Sequence, residues 1–307
     1  MHSLSRQQLV TLVLLTLLWG LNWPVMKLGV TGYPPLSFRA LSICLGVPVL
    51  GAALWWLKVP FRVPRRHWPE LLWLAATNMF VWHAAMILAV KTLSSGRAAI
   101  LGYTMPIFSA LIGMLLFNAV LSRRGWLGVT AAAAGVGLLL WHELTQMAGR
   151  PAGVALALLA AATWALGTQL LRRTEIPLPT LTLSFWMTAL TAVVVGALSF
   201  IFERPQWQAP SRVVWGAILF NAVLIFGYTH AAWFSLARDL PPVASTLSVM
   251  LIPVLGVFSG AFWLGEVVHW QDWTAVVLMM VAIASVLWPA GRATGPERTP
   301  TGGRGGG

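Results

Sequence analysis

The sequence predicts an all-α polytopic membrane protein in which ten transmembrane helices form two inverted five-helix repeats. Three observations predict it. Of 307 residues, 58% are hydrophobic and 9% charged, against roughly 45–50% and 25% in an ordinary soluble domain, so a water-facing surface of normal chemistry cannot be built. The sparse charges leave ten uncharged runs of at least 18 residues, and about 20 apolar residues rising about 1.5 Å each cross a hydrocarbon core of about 30 Å. The chain also repeats itself. A shift of 147 lays His83-Ala84-Ala85 on His230-Ala231-Ala232, Lys91 on Arg238, Pro106 on Pro253, Trp126 on Trp273 and Trp141 on Trp288, and a shift of 145 lays Trp19 on Trp164. A membrane barrel is excluded, because its strands would be segments of about 10 residues alternating apolar with polar, whereas these runs are continuously apolar.

The first run, 7–26, follows Arg6. It mimics a signal peptide but reaches Met26 without a small-residue cleavage site, so it reads as a retained helix. Lys27 closes it, and Arg39 stands just before the second run, 40–57. Either cation would attract an anionic group or a phospholipid, or would snorkel to the headgroups; snorkelling is favoured for Lys27, and Arg39 stays open. Cys44, the single cysteine, lies in the second run and has no disulfide partner in the chain. The third run, 71–90, sets Asn78 four residues before Trp82, so that amide and indole share one face, with His83 adjacent. The fourth, 98–122, holds Tyr103 and Pro106, and the fifth, 125–142, follows Arg123 and Arg124.

The second half runs 151–171 with Trp164, 176–202 with Trp186, 213–237 with Tyr228 and His230, 240–265 with Pro253, and finally 273–291. The repeats are thus expected over 1–145 and 150–291, followed at 292–307 by a tail rich in Gly, Pro and Thr that is expected to be a disordered cytoplasmic end. Five helices is an odd number, so the second half enters the membrane with the opposite orientation. Pro106 and Pro253 remove an intrahelical hydrogen bond at matched positions and are the expected hinges.

The formal net charge is +12. No basic cluster is long enough for a nucleic-acid face. Alternating the runs from a cytoplasmic N-terminus puts thirteen Lys and Arg inside and seven outside, the bias expected when both termini are cytoplasmic. Catalytic apparatus is missing: the chain has no G-x-x-x-x-G-K-[ST] phosphate loop, no H-E-x-x-H pair and no G-x-S-x-G elbow. No enzyme activity, cofactor or metal site is expected. All eight acidic residues lie at run ends or in loops. Pumps and exporters of lipophilic cations keep a carboxylate at depth, so compulsory cation-for-proton exchange is disfavoured and downhill export stands beside it.

The ionisable groups at depth are instead His83 and His230. Each imidazole would bind a ligand carboxylate or titrate near neutrality, or else donate to a neighbouring helix. Of eighteen tryptophans, most sit near run ends, where they form interfacial belts. Trp82, Trp164 and Trp186 sit near run centres, where an indole N–H is costly without a partner. With Tyr103 and Tyr228 they are candidates to line a cavity, helix packing being the alternative for each.

Trp19-Gly20-Leu21-Asn22 followed by Lys27 resembles the first-helix signature of the drug/metabolite transporter superfamily in its EamA-type ten-helix branch. Ser37-Phe38-Arg39, Ala89-Val90-Lys91, Pro106 and Leu264-Gly265-Glu266 agree in order over nearly the whole chain. Within the branch the chain is similar to aromatic amino-acid exporters of bacterial inner membranes. The resemblance implies export of aromatic and other neutral amino acids, and of flat organic cations, through a central cavity walled mainly by helices one, three, four, six, eight and nine. The inverted repeat implies alternating access, and the expected partners are a small-molecule substrate and membrane lipid, with the chain a monomer. On that reading Trp82, Tyr103, Trp164 and Trp186 contact the substrate side chain, while Asn78, His83, Tyr228 and His230 hold its ammonium and carboxylate. A proton-coupled multidrug exporter of flat cations is the rival, and an intramembrane enzyme or receptor a more distant one. The chain departs from the pattern at Phe117-Asn118-Ala119, where the first half lacks the Gly-Glu of the second.

Overall fold

The computed structural model describes residues 6–145, 151–229, 232 and 242–287. The expected tail at 292–307, the junction at 146–150, His230, Arg238 and Trp288 lie outside the described residues. The chain is an all-α polytopic membrane protein. Its helices are α1 (Arg6–Gly32), α2 (Pro35–Trp56), α3 (Arg65–Thr92), α4 (Ser95–Phe117), α5 (Arg123–Thr145), α6 (Pro151–Leu171), α7 (Thr180–Gln206), α8 (Arg212–Thr229), α9 (Pro242–Leu264) and α10 (Trp270–Leu287). Among the described residues, the seven helices α1–α4 and α6–α8 are long and apolar enough to cross a membrane; α9 and α10 contribute the shorter apolar stretches Leu251–Leu264 and Trp270–Ser285.

Three helices carry a π segment or an opening. A π-turn at Ala76–Phe80 interrupts α3, and the π-helix Phe220–Thr229 makes up the second part of α8. The shift of 147 maps the first onto 223–227, inside the second. In α4 the helix opens at Tyr103–Thr104, where Pro106 has no N–H to offer the Gly102 carbonyl. Pro253, at the matching position, lies within a continuous α9.

The two halves also end helices alike. Asn118 after α4 (φ 52°) and Gly265 after α9 (φ 64°) are left-handed, the conformation that Gly and Asn tolerate best. In each case the next amide reaches back over the last turn, Ala119 N–H to Gly113 C=O at 3.0 Å and Glu266 N–H to Gly260 C=O at 3.4 Å.

Packing pairs α1 with α8 and α9, α2 with α7 and α8, α3 with α6 and α7, α4 with α6 and α9, and α5 with α10. Exchanging the two sets of five helices leaves this set of pairs unchanged. Small residues allow the closest crossings, as in other membrane bundles. Gly20 of α1 lies on Leu255 of α9, Gly96 of α4 on Val257 of α9, and Gly167 of α6 on the Asn78 backbone in the α3 π-turn.

One end of the bundle is pinned by charge. Lys27 Nζ donates to the carbonyls of Val90, Lys91 and Leu93 at 3.0, 3.2 and 2.7 Å, and Lys91 Nζ donates to Val30 C=O at 2.5 Å. Lys27 therefore does not snorkel to headgroups: an ammonium at a helix C-terminus satisfies the orphan carbonyls and the negative end of the dipole. Glu203 at the end of α7 accepts from the amides of Leu36 and Ser37 at 3.0 and 2.7 Å, which caps α2. Glu266 beyond α9 accepts from Ser95 N–H and Oγ at 2.7 and 2.8 Å, which caps α4. Arg97 Nε pairs with Asp272 at 2.7 Å. At the opposite end Arg173 lies 3.8 Å over the Phe117 ring and Thr174 donates to Glu70. These are called the lysine end and the arginine end below.

Candidate functional site

A cavity of about 460 Å³ lies inside the bundle. Its wall comes from α1, α3, α4, α6, α8 and α9, the set the family resemblance implies, with Arg39 of α2 added. Trp19, Asn22, Trp23 and Met26 face it from α1. Their spacing of i, i+3, i+4 and i+7 is one helical face. Trp82, His83 and Met86 project from α3 just beyond the π-turn, which re-aims the residues that follow it. Tyr103, Met105 and Pro106 come from the opening in α4, while Trp164, Thr168 and Gln169 come from α6 and Arg172 from the turn after it.

Aromatic rings dominate the surface. Trp82 and Trp164 pack with centroids 5.1 Å apart and planes tilted by 58°, and Trp23 meets Tyr103 edge to face at 6.3 Å. The His83 ring lies 5.0 Å from Phe226. The polar groups are few. Gln169 donates to the carbonyl and Oγ of Ser109 at 3.0 and 2.8 Å, which ties α6 to α4. The Asn22 Oδ1 is buried with no hydrogen-bond partner among the described residues. Arg172, at the arginine end, lines the cavity and is exposed, so the wall reaches solvent-accessible surface there.

Arg39 is the buried charge in the wall. The helix begins at Pro35, so Arg39 sits a full turn inside it, and it is only 2% exposed. Its Nη2 donates to the Met26 thioether at 2.8 Å, its Nη1 is 3.4 Å from Asn221 Oδ1, and its Cζ lies 5.7 Å from the Phe226 centroid. Among the described residues the Nε has no hydrogen-bond partner and no carboxylate lies within ion-pair distance. Glu203, one turn away along the α2 start, is committed to the Leu36 and Ser37 amides and the Ser37 hydroxyl.

Of the residues the sequence singled out, Trp82, His83, Tyr103, Trp164 and Pro106 line the cavity. Asn78 does not; it is buried against Gly167 where α3 crosses α6, with its Oδ1 unpaired among the described residues. Trp186 does not either. Its indole N–H donates to Phe61 C=O at 2.7 Å and its ring stands on Trp68, so it fastens the α2–α3 loop at the arginine end. Tyr228 lies partly exposed in the α8 π-helix outside the wall, Pro253 is buried within α9, and His230 lies outside the described residues. Trp23, Met26, Gln169 and Arg172 were missed. The α1 pair was readable from the i, i+3, i+4, i+7 spacing that Trp19 and Asn22 begin, whereas Gln169 and Arg172 carry no comparable signal.

The model of the EamA-like transporter family matches this chain twice, over residues 8–141 and 151–288. Similar curated proteins include the uncharacterized transporter YoaV of Bacillus subtilis (strain 168), 24% identical over 83% of this chain and 88% of its own length. The uncharacterized inner membrane transporter YedA of Escherichia coli (strain K12) is 25% identical over 92% of each chain. A probable amino-acid metabolite efflux pump of Salmonella typhimurium (strain LT2) is 24% identical over 91% of this chain and 94% of its own. A protein of known crystal structure shares the fold at a TM-score of 0.64 with 21% identity, covering 92% of this chain and 98% of that one.

Proposed function

This chain belongs to the EamA-like transporter family, and from that premise we propose that it exports aromatic and other neutral amino acids across the bacterial inner membrane by alternating access. It is a transporter of small molecules and not an enzyme. The observation that carries the substrate reading is the cavity wall: four indoles and the Tyr103 ring around about 460 Å³, a volume within the usual range for small-molecule sites. Flat apolar side chains fit between such rings, as in the offset and edge-to-face pairs they already form with one another. The relative described as an amino-acid metabolite efflux pump supports the same class.

The transport cycle rests on two inverted repeats, 1–145 and 150–291, ten spans in all. The unchanged helix pairing on exchange of the halves and the paired left-handed caps at Asn118 and Gly265 support that arrangement. The lysine end is closed by the Glu203, Glu266 and Arg97–Asp272 contacts, and the cavity mouth is at the arginine end. Lys58, Arg62, Arg65, Arg66, Arg123, Arg124, Arg172 and Arg173 gather in the turns of that end, which supports a cytoplasmic mouth and cytoplasmic termini. The cycle then swings the α4 wall about Pro106, with Pro253 as its counterpart, so that the lysine-end contacts open as the mouth closes. The chain acts as a monomer.

A flat-cation exporter driven by protons fits less well, because the charged side chains of the wall are Arg39 and Arg172. Counterflow of labelled phenylalanine and tryptophan into proteoliposomes decides between them. Uptake above protein-free vesicles is expected. Absence of amino-acid exchange together with dye efflux driven by an imposed proton gradient would replace this reading with the rival one.

A further inference from the structure

We propose that Arg39 is the anchor for the carboxylate of the transported solute. The proposal rests on the exporter reading above and assigns the charged end of its substrate. A guanidinium presents five donors in a planar fork, and in this one the donors are poorly used. The Met26 sulfur is a weak acceptor, the Asn221 contact at 3.4 Å is at the limit of a hydrogen bond, and Nε is unpaired among the described residues. A cation buried to this degree is stable only when a strong acceptor reaches it. No carboxylate among the described residues does so, and Glu203 at the α2 start is held by the Leu36 and Ser37 amides.

The side with free capacity is the cavity that Arg39 lines. A carboxylate there forms two parallel charge-assisted hydrogen bonds, a geometry that lysine cannot reproduce. Asn22, on the same α1 face as Met26, offers an unpaired Oδ1 suited to an ammonium next to that carboxylate. The flat part of the solute then extends toward Trp82 and Trp164. The ligand class is an organic carboxylate on a flat apolar body, zwitterionic or anionic, and a plain aromatic amine is rejected.

The test uses the purified full-length protein in phosphatidylcholine proteoliposomes, with labelled phenylalanine for counterflow and four competitors: unlabelled phenylalanine, phenylpropionate, phenylalaninamide and phenylethylamine. On the unmodified protein, phenylalanine and phenylpropionate compete, while the amide and the amine are weaker by about tenfold or more. Arg39→Gln lowers apparent phenylalanine affinity by about tenfold or more and abolishes discrimination between acid and amide; Arg39→Lys retains part of both. Equal competition by phenylalaninamide overturns the anchor even if no Arg39 variant folds. Phenylalanine flux that is unchanged in Arg39→Gln overturns it while leaving the exporter reading intact. If no amino acid is exchanged, thermal stabilisation of the protein by phenylpropionate but not phenylethylamine, lost in Arg39→Gln, upholds the anchor while the exporter reading falls. A lipid phosphate at Arg39 would make thermal stability follow added phosphatidylglycerol and ignore carboxylates, which also overturns it.

Discussion

Lys27 and Lys91 each hold the end of the other's helix: Lys27 Nζ donates to three carbonyls around the C-terminus of α3, and Lys91 Nζ to the Val30 carbonyl near the end of α1. The arrangement converts two charges that a bilayer would otherwise expel into caps for two helix ends. Replacing Lys27 with Met leaves three carbonyls short of a donor and is expected to cost about 1–3 kcal/mol. Lys91→Met, at an exposed site, is expected to cost less than about 1 kcal/mol. Because both act on one junction, the double variant is expected to lose less than the sum, read by thermal unfolding in detergent.

Glu203 and Glu266 perform the reverse task at helix starts, and each accepts from backbone amides of a helix in the other half. Glu203→Gln and Glu266→Gln remove the charge that favours an N-terminus while keeping the shape. Each is expected to destabilise by about 1 kcal/mol, read as a lower unfolding temperature. Equal stability of both variants would show that these caps hold nothing.

Trp164 and Trp186 occupy similar depths in their runs, but only Trp164 faces the cavity. Trp164→Ala is therefore expected to weaken apparent affinity for aromatic amino acids about tenfold or more in counterflow, since aromatic rings of this size dominate a binding wall. Trp186→Phe removes the N–H that reaches Phe61 C=O and is expected to cost about 1 kcal/mol of stability with little change in affinity. Unchanged transport in both Trp164→Ala and His83→Ala would take these two side chains out of the substrate site.

The left-handed residues after α4 and α9 predict opposite outcomes for similar changes. Gly265→Ala at φ 64° is expected to lose about 1 kcal/mol, and Asn118→Gly is expected to be neutral or to gain a few tenths. Thermal unfolding of the two variants in parallel checks the pair.

Much of the bundle was legible because hydrocarbon leaves so little choice. Uncharged runs between Lys and Arg mark where helices lie, and the fixed spacing of 147 between Trp and His residues is the sequence signal behind the proposed repeat. The interruptions were less so. Pro106 announces the opening in α4, but the π-turn at Ala76–Phe80 arises where Gly167 of α6 presses on the Asn78 backbone, a contact between residues 89 apart. The same limit governs the site. Depth and side-chain chemistry pick out Trp82, Trp164 and Tyr103, which line the cavity, but depth does not give the direction a side chain faces, so they also pick out Trp186 and Asn78, which do not. Arg39 looked like a boundary residue because a charge ends an apolar run. The helix in fact starts earlier, at Pro35, under a cap supplied by Glu203, and that contact crosses 167 residues of sequence.

A cavity that is the substrate path, with its mouth on the cytoplasmic side, is read directly by labelling from each face of the membrane. Ser109→Cys, in a Cys44→Ser background, places a thiol on the cavity wall near the arginine end. A membrane-impermeant maleimide is expected to modify it in inside-out vesicles, to leave it largely unmodified from the periplasmic face, and to react more slowly when phenylalanine is present. Modification only from the periplasmic face, or a rate indifferent to every amino acid, would contradict the account.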